Sequence, residues 1–533
     1  MNDVEILKQA LEGDEPIATI QHVRLVRAAM RSDPATAGRL MQLAYVRGLE
    51  GAYADGGGAG LPALATLGAV VLESVGDHAG AIARLDQALT VVVDSSEDRA
   101  RILAVRAIYE VQAERISAAN ASIVAAAAAM PVVPSIEASL ELEMSTAIVS
   151  LVSLALGDLE HTSSTIASAQ AERLDSIASA LMVYLTAALT AVGESSEARA
   201  WADALQGYSG AVRHPARTID ARIAQVALRV RRDLNVEVEG IDDQAQRTFN
   251  NMALWRTRVL ATYTALMRGD RLAAGGAVQL LEKQRSVMHP AFQSASDGFA
   301  LAVRAMLEPG ASIESAMPPD QATLLSISGA LASAEATAIA GSQSRAADWL
   351  TWLDRSLPAR VVTSMEWPAC RKRVEGLLLL RLGDHREAVV RLQEAIRCCD
   401  ERGDAVQAGI GRIQLAEALV RGSGVLHSSY RALLISQADP DALRSLGVDP
   451  IPFAYAASRT FLREEKQPER GGLTLREVQV LGRLAQGMTY NAIGKELEIN
   501  PRTVGVHASH CYEKLGVRNR VEAVQTATRL GIV

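Results

Sequence analysis

Six times along the chain an apolar, helix-forming run ends in glycine plus a polar residue, and a second helix-forming run begins just beyond. The glycines are Gly76, Gly157, Gly193, Gly269, Gly341 and Gly383. Glycine closes a helix because it enters the left-handed region without a Cβ clash, and the Asp or Ser after it caps the next helix. Successive glycines are 81, 36, 76, 72 and 42 residues apart, so the long steps are about twice the short ones. Weaker turn signals fall inside the long gaps, at Ala113–Glu114, Arg232–Asp233 and Glu308–Gly310, and one more follows at Arg421–Gly422. A two-helix unit repeating every 36 to 42 residues is therefore predicted over residues 1–464. Such a hairpin cannot bury its apolar face alone and must stack on its neighbours, so the fold class is all-α, with an N-terminal α-solenoid.

Composition agrees with that reading. The region is rich in Ala and Leu, and aromatic residues make up only 4% of the chain, so small side chains must fill the helix contacts. The unit from Leu377 to Ile396, with Leu380, Gly383, Ala388, Leu392 and Ala395, resembles a tetratricopeptide repeat. The other units are degenerate, and the resemblance is to the architecture. Trp349, Trp352 and Trp367 either pack between repeats or line a ligand surface. Cys398 and Cys399 close an amphipathic helix, as buried packing or as a thiol sensor.

The sequence carries no catalytic or nucleotide-binding motif. The run Asp55–Gly60 is glycine-rich but has no lysine to reach a phosphate, so it reads as a surface loop. There is no Gly-x-x-x-x-Gly-Lys-Ser/Thr, no His-Glu-x-x-His, no Cys-x-x-Cys and no Gly-x-Ser-x-Gly. Neither an enzyme, a cofactor nor a metal site is expected. Four cysteines without framework spacing and no long run free of polar breaks point to a cytoplasmic protein without a membrane segment.

Charge divides the chain. From Leu473 onward there are eight basic and five acidic residues, whereas the rest carries a net charge of −10. Before that point Glu465–Gly472 combines charge, proline and paired glycines, the composition of an exposed linker, so the terminal domain is placed at 473–533. Its helices are marked by their ends. Thr474 and Glu477 read as a capping box, with Glu477 reaching back to the Thr474 amide. Val478, Leu481, Leu484, Ala485 and Met488 form the expected buried stripe, and Gly487 ends the first helix. Thr489 caps the second, which buries Ile493 and Leu497 and puts the small Gly494 at a close crossing. Asn500 caps the third, with Pro501 at its first position. Val504, Ala508, Cys511, Tyr512 and Leu515 make the buried face of that helix. Arg502, Gly505, Val506, Ser509 and Glu513 make a small, polar outer face. Two short helices joined at Glu498–Asn500 form a helix-turn-helix.

At Leu473, Thr474, Arg476, Glu477, Val480, Leu481, Leu484 to Gly487, Ile493, Lys495, Leu497, Thr503, Val504, His507, Lys514, Leu515, Arg520, Glu522 and Ala523, the domain resembles the LuxR-type, or GerE-type, helix-turn-helix of bacterial transcription regulators. The resemblance covers only the last sixty or so residues. It implies four helices, the third lying in the major groove of double-stranded DNA and the fourth, about Arg520 to Leu530, serving a homodimer through Val521, Val524 and Thr528. On that docking Gly505, Val506 and Ser509 face bases, while Arg502, Thr503, Lys495 and Lys514, with Asn491 and His510, lie toward phosphates. Two positions depart from the family pattern: Gly505 stands where lysine is usual, and Ala492 where glutamate is usual. His507, His510 and Cys511 are spaced for the domain core better than for a metal. The expected function is a sequence-specific transcription regulator whose helical repeats sense a ligand or a protein partner. The alternative is an interaction scaffold whose terminal domain does not bind DNA. The chain resembles the C-terminal half of the large LuxR regulators, without their nucleotide-driven switch.

Overall fold

The structure is a computed structural model that describes almost all of residues 77–308, 317–423, 440–450 and 475–529, with isolated positions elsewhere. The glycine-rich run at 55–60, the turn at Gly76 and the linker placed at 465–472 lie outside the described residues. The chain forms two compact units, one of residues 1–424 and 434–449, the other of 425–433 and 450–533. The described elements are helical, 22 in all.

In the first unit, Asp77 opens α1 (His78–Val91) by accepting a hydrogen bond from the Gly80 amide. Hairpins follow: α2 (Ser96–Gln112) with α3 (Ile116–Ala129), then α4 (Ile136–Val152) with α5 (Leu159–Ala171). Next come α6 (Asp175–Val192) with α7 (Ser195–Ala211), α8 (Pro215–Arg229) with the short α9 (Ile241–Arg247), and α10 (Asn251–Met267) with α11 (Arg271–Gln284). The leading helices of these pairs begin at 96, 136, 175, 215 and 251, so the repeat is 36 to 40 residues. The series continues with α12 (Pro290–Leu307), α13 (Ile327–Ala340), α14 (Gln343–Arg355), α15 (Arg371–Leu382), α16 (His385–Arg402), α17 (Ala405–Ser423) and the short α18 (Pro440–Ser445).

Several turns form as their residues predict. Gly193, Gly269 and Gly383 have φ of +89°, +73° and +89°, and Asp270 and Asp384 cap α11 and α16. Three turns differ. After α4 the left-handed position is taken by Leu154, with φ +60°, and not by Gly157. Leu154 is only 5% exposed, so burial of its side chain offsets the conformational cost. Gly341 is extended, with φ −81° and ψ 178°; there the glycine supplies space, since a Cβ would stand 2.7 Å from Thr337 Cγ2. No turn forms at Arg421–Gly422, because α17 continues to Ser423. One internal glycine costs about 1 kcal/mol, too little to stop a long helix.

Small residues let the helices approach closely. A Cβ on Gly298 of α12 would meet the Gly329 carbonyl oxygen of α13 at 2.2 Å. Helix α6 is long and apolar enough to cross a membrane by length and composition, yet Leu181, Leu185, Ala188 and Leu189 are buried, so it is a core helix of this unit. The three tryptophans pack. Trp349 meets Trp352 edge-on at 5.4 Å, and Trp367 stacks on Phe299 at 5.1 Å.

Charges are buried here in pairs. Arg373 donates to Glu335 at 2.6 Å, to Gln407 at 2.8 Å and to Gln414 at 3.1 Å, and Gln407 in turn donates to the Tyr263 hydroxyl at 2.9 Å. Beside it Arg231 pairs with Asp404 at 3.2 Å. A buried charge survives only with a partner and satisfied hydrogen bonds, so this network ties α10, α13, α15 and α17 in one arrangement.

Candidate nucleic-acid interface

In the second unit, four short helices are described: α19 (Leu475–Ala485), α20 (Tyr490–Glu496), α21 (Pro501–Lys514) and α22 (Arg520–Arg529). Their ends follow from local chemistry. Gly487 takes φ +87°, and the Met488 amide reaches back to the Arg483 carbonyl at 3.1 Å. The Thr489 hydroxyl accepts from the Ala492 amide, and Asn500 Oδ1 accepts from the Arg502 amide at 2.9 Å, with Pro501 at the first helical position. Between α20 and α21 the chain turns tightly against Gly494. A Cβ there would stand 2.7 Å from the Ile499 carbonyl oxygen, so only glycine lets the turn close on the helix.

The core consists of two groups of small side chains on either side of α19. Val480 and Leu484 pack with Ile493, Val504 and Ala508; Leu481 packs with Leu473, Cys511, Ala523 and Ala527. Here the stripe expected on α19 needs correcting. Ala485 is exposed, and Val480, absent from that stripe, is fully buried. The helix is covered on two flanks, by α20 and α21 on one and by α22 on the other, so its apolar arc is wider than a single stripe.

The outer face of α21 carries the side chains assigned to DNA. Arg502, Thr503, Val506, Ser509 and His510 are exposed, Val506 by 49%, a high value for an apolar residue of this size. Gly505 lies among them, half-buried against Tyr490 of α20. A Cβ at residue 505 would stand 3.7 Å from the Tyr490 ring, an ordinary contact, so packing does not require the glycine. Asn491 and Lys495 are exposed on α20. On α22, Val521 is 64% exposed and Thr528 is exposed, while Val524 is half-buried against the Val480 group.

Lys514 is exposed and also bonded within the domain. Its ammonium donates to Glu477 Oε2 at 2.9 Å, and His510 Nδ1 lies 3.8 Å from the other carboxylate oxygen. Glu477 is 3% exposed. It therefore anchors α21 to α19, a role beyond the capping expected of it; Thr474, its supposed partner, lies outside the described residues. The sequence does not reveal this anchoring, because Glu477 and Lys514 are 37 residues apart and each has a sufficient local explanation. Cys511 sits beside this pair, its thiol donating to the Glu477 carbonyl at 3.5 Å. Burial, reinforced by the Glu477 carboxylate, pushes that thiol up to about 12, which leaves it protonated and inert. Other cations are used internally as well: Arg476 bonds the Leu497 carbonyl, Arg520 the Leu484 carbonyl, and Arg483 pairs with Glu496.

Caps, a tight helix–helix turn and an exposed second helix define a helix-turn-helix domain. Residues 472–527 match the family described as bacterial regulatory proteins, luxR family, and the C-terminal domain is of that LuxR type. Similar proteins include the HTH-type transcriptional regulator MalT of Vibrio cholerae, 28% identical over 174 residues, or 30% of this chain and 18% of MalT. That aligned stretch is far longer than the terminal domain, so the similarity reaches into the helical unit. The probable transcriptional regulatory protein NarL of Mycobacterium tuberculosis is 43% identical over 68 residues, covering 13% of this chain and 32% of NarL. MalT of Yersinia pestis is 47% identical over 58 residues, 11% of this chain and 6% of MalT. The chain thus spans under a third of the length of each of these relatives.

Proposed function

We propose that the protein is a sequence-specific DNA-binding transcription regulator in which α21 enters the major groove. The observation that carries this reading is the outer face of α21: Arg502, Thr503, Val506 and Ser509 stand exposed on a helix whose other face is locked into the core. A helix of this width fits the major groove, and its N-terminal half reaches base edges. Val506 and Ser509 then read bases, the former by apolar contact and the latter through its hydroxyl. Gly505 faces the groove between them. Arg502, Thr503, Asn491 and Lys495 hold phosphates, with His510 at the edge of the contact. Lys514 contributes indirectly, by fixing α21 on Glu477.

The chain acts as a homodimer through the exposed side of α22, around Val521 and Thr528, and so addresses an operator with two-fold symmetry. Its helical repeats receive the signal, a ligand or a protein partner. It works in the cytoplasm, without a cofactor and not as an enzyme. MalT and NarL are named as transcriptional regulators, which supports the regulatory half of this reading.

The test is selection of genomic fragments by the purified chain, followed by mobility shifts across a salt series. Enrichment of a two-fold symmetric sequence, bound with an affinity that falls steeply with salt, is the expected result. Absence of any fragment preference would overturn the reading and leave the domain as a protein-interaction module.

A further inference from the structure

Beyond the DNA-facing domain, the helical unit holds an arrangement that its packing role does not require. Cys370 occupies the cap position at the start of α15, and Cys399 lies near the end of α16. The two cysteines, 2% and 1% exposed, share one buried cluster with Ala395 and Ala408. One guanidinium nitrogen of Arg402 lies 3.9 Å from Cys370 Sγ and 3.7 Å from Cys399 Sγ, so the two thiols flank one cation. Two buried sulfurs that share one cation differ from ordinary packed cysteines, which are inert and lie in apolar surroundings.

We propose that Cys370 and Cys399 are a redox modification site, at which hydrogen peroxide forms a reversible disulfide joining the start of α15 to the end of α16. The sulfur of Cys370, as thiolate, attacks one peroxide oxygen. The O–O bond breaks and the leaving oxygen departs as water after taking a proton, which leaves a sulfenic acid. Cys399 sulfur then attacks the sulfenic sulfur, and its own proton leaves with the sulfenic oxygen as a second water. In sum, two thiols and hydrogen peroxide give a disulfide and two waters.

The two sulfurs are unequal. The neighbouring Cys399 thiol, together with the Arg402 guanidinium, holds the Cys370 thiol well below the usual range, while the proximity of Cys370 and burial push Cys399 up. One sulfur is thus the nucleophile and the other keeps its proton, the division that the two-step reaction needs. The charged and titratable groups around them are Arg373 on α15, Arg402 on α16 and Asp404 before α17. Behind these stand Glu335, Tyr263 and Arg231, the partners of the buried network. The Cys370 amide donates to Gln407 of that network at 3.2 Å, so oxidation changes the charge and tether at its edge. Burial restricts the reaction to a small oxidant.

The experiment uses the full chain, reduced, exposed to graded hydrogen peroxide, blocked with a maleimide after denaturation and digested with trypsin. Cleavage at arginine puts Cys370 on peptide 361–371 and Cys398 with Cys399 on 398–402, so the cross-link appears as a joined pair of peptides. The expected product is that pair, reversed by dithiothreitol, retained in Cys398→Ser and lost in Cys399→Ser. Cys511 serves as the unreactive thiol of the same molecule. Arg402→Met keeps both sulfurs and removes the cation; it should raise the pH at which the oxidation rate reaches half its plateau and slow the reaction several-fold at pH 7. Oxidation of Cys370 no faster than of Cys511, a cross-link that survives Cys399→Ser, or an unchanged pH profile in Arg402→Met would each overturn the proposal.

Discussion

The two units hold themselves together by different means. In the terminal domain almost every element is bounded by a cap within four residues of its end, and the core consists of apolar side chains with, among the described residues, one buried carboxylate, Glu477. In the helical unit the hairpins are joined by buried ion pairs between residues far apart in the chain: Arg373 and Glu335 are 38 residues apart, Arg231 and Asp404 are 173 apart. A short domain that must present one exact face to a ligand depends on local signals that fix each helix separately. A long series of similar hairpins depends on a few polar ties, because apolar contacts alone would accept neighbouring registers.

Breaking a tie on each side is the direct test. Glu335→Leu leaves Arg373 as a buried charge without its carboxylate, and should destabilise the helical unit by about 3–5 kcal/mol. Urea denaturation followed by circular dichroism reads this, and a variant as stable as the parent would mean that the network is dispensable. Val506→Glu attacks function without stability. A carboxylate against the groove should cost about 1–3 kcal/mol of specific binding per half-site, with the melting temperature unchanged because Val506 is exposed. Equal affinity in a mobility shift would show that α21 docks by another face.

Glu477→Ala lies between these two. Loss of the anchor should lower the stability of the terminal domain by about 1–3 kcal/mol and weaken DNA binding at low and high salt alike. Should Lys514 act instead as a phosphate ligand, Lys514→Met would reduce the salt slope of binding by about one per subunit, a result that would return it to the interface. The smallest effects are expected at Gly505. Replacement by lysine is sterically tolerated and should steepen the salt slope by about one per subunit while tightening binding. Replacement by alanine should stabilise the domain by about 0.5–1 kcal/mol and leave the slope alone. If Gly505→Lys changes neither affinity nor slope, residue 505 faces away from the phosphates.

Much of the fold was legible in the residues. The all-α class, the repeat length, the glycine turns at Gly193, Gly269 and Gly383 and the caps at Thr489 and Asn500 are all local, and each was visible as a residue type at a spacing. The buried face of α21 was visible for the same reason, since Val504, Ala508 and Cys511 recur at helical intervals. Errors arose where a local signal met a distant one. Gly157 looked like a helix end, but burial of Leu154 moved the left-handed residue three positions earlier. Ala485 fitted a single stripe, but a helix covered on two flanks needed Val480 instead.

What the sequence determined by itself, then, is where most helices begin and end and which side of α21 faces inward, because caps and periodicity act within one or two turns of the chain. Tertiary structure alone decided that Lys514 holds Glu477, that Arg373 finds Glu335, and that Cys370 and Cys399 share one buried cluster beside Arg402. These contacts span from 29 to 38 residues and lie between charges or thiols that have an adequate local role. Only the packed arrangement of helices, which removes water and compels each buried polar group to find a partner, selects among them.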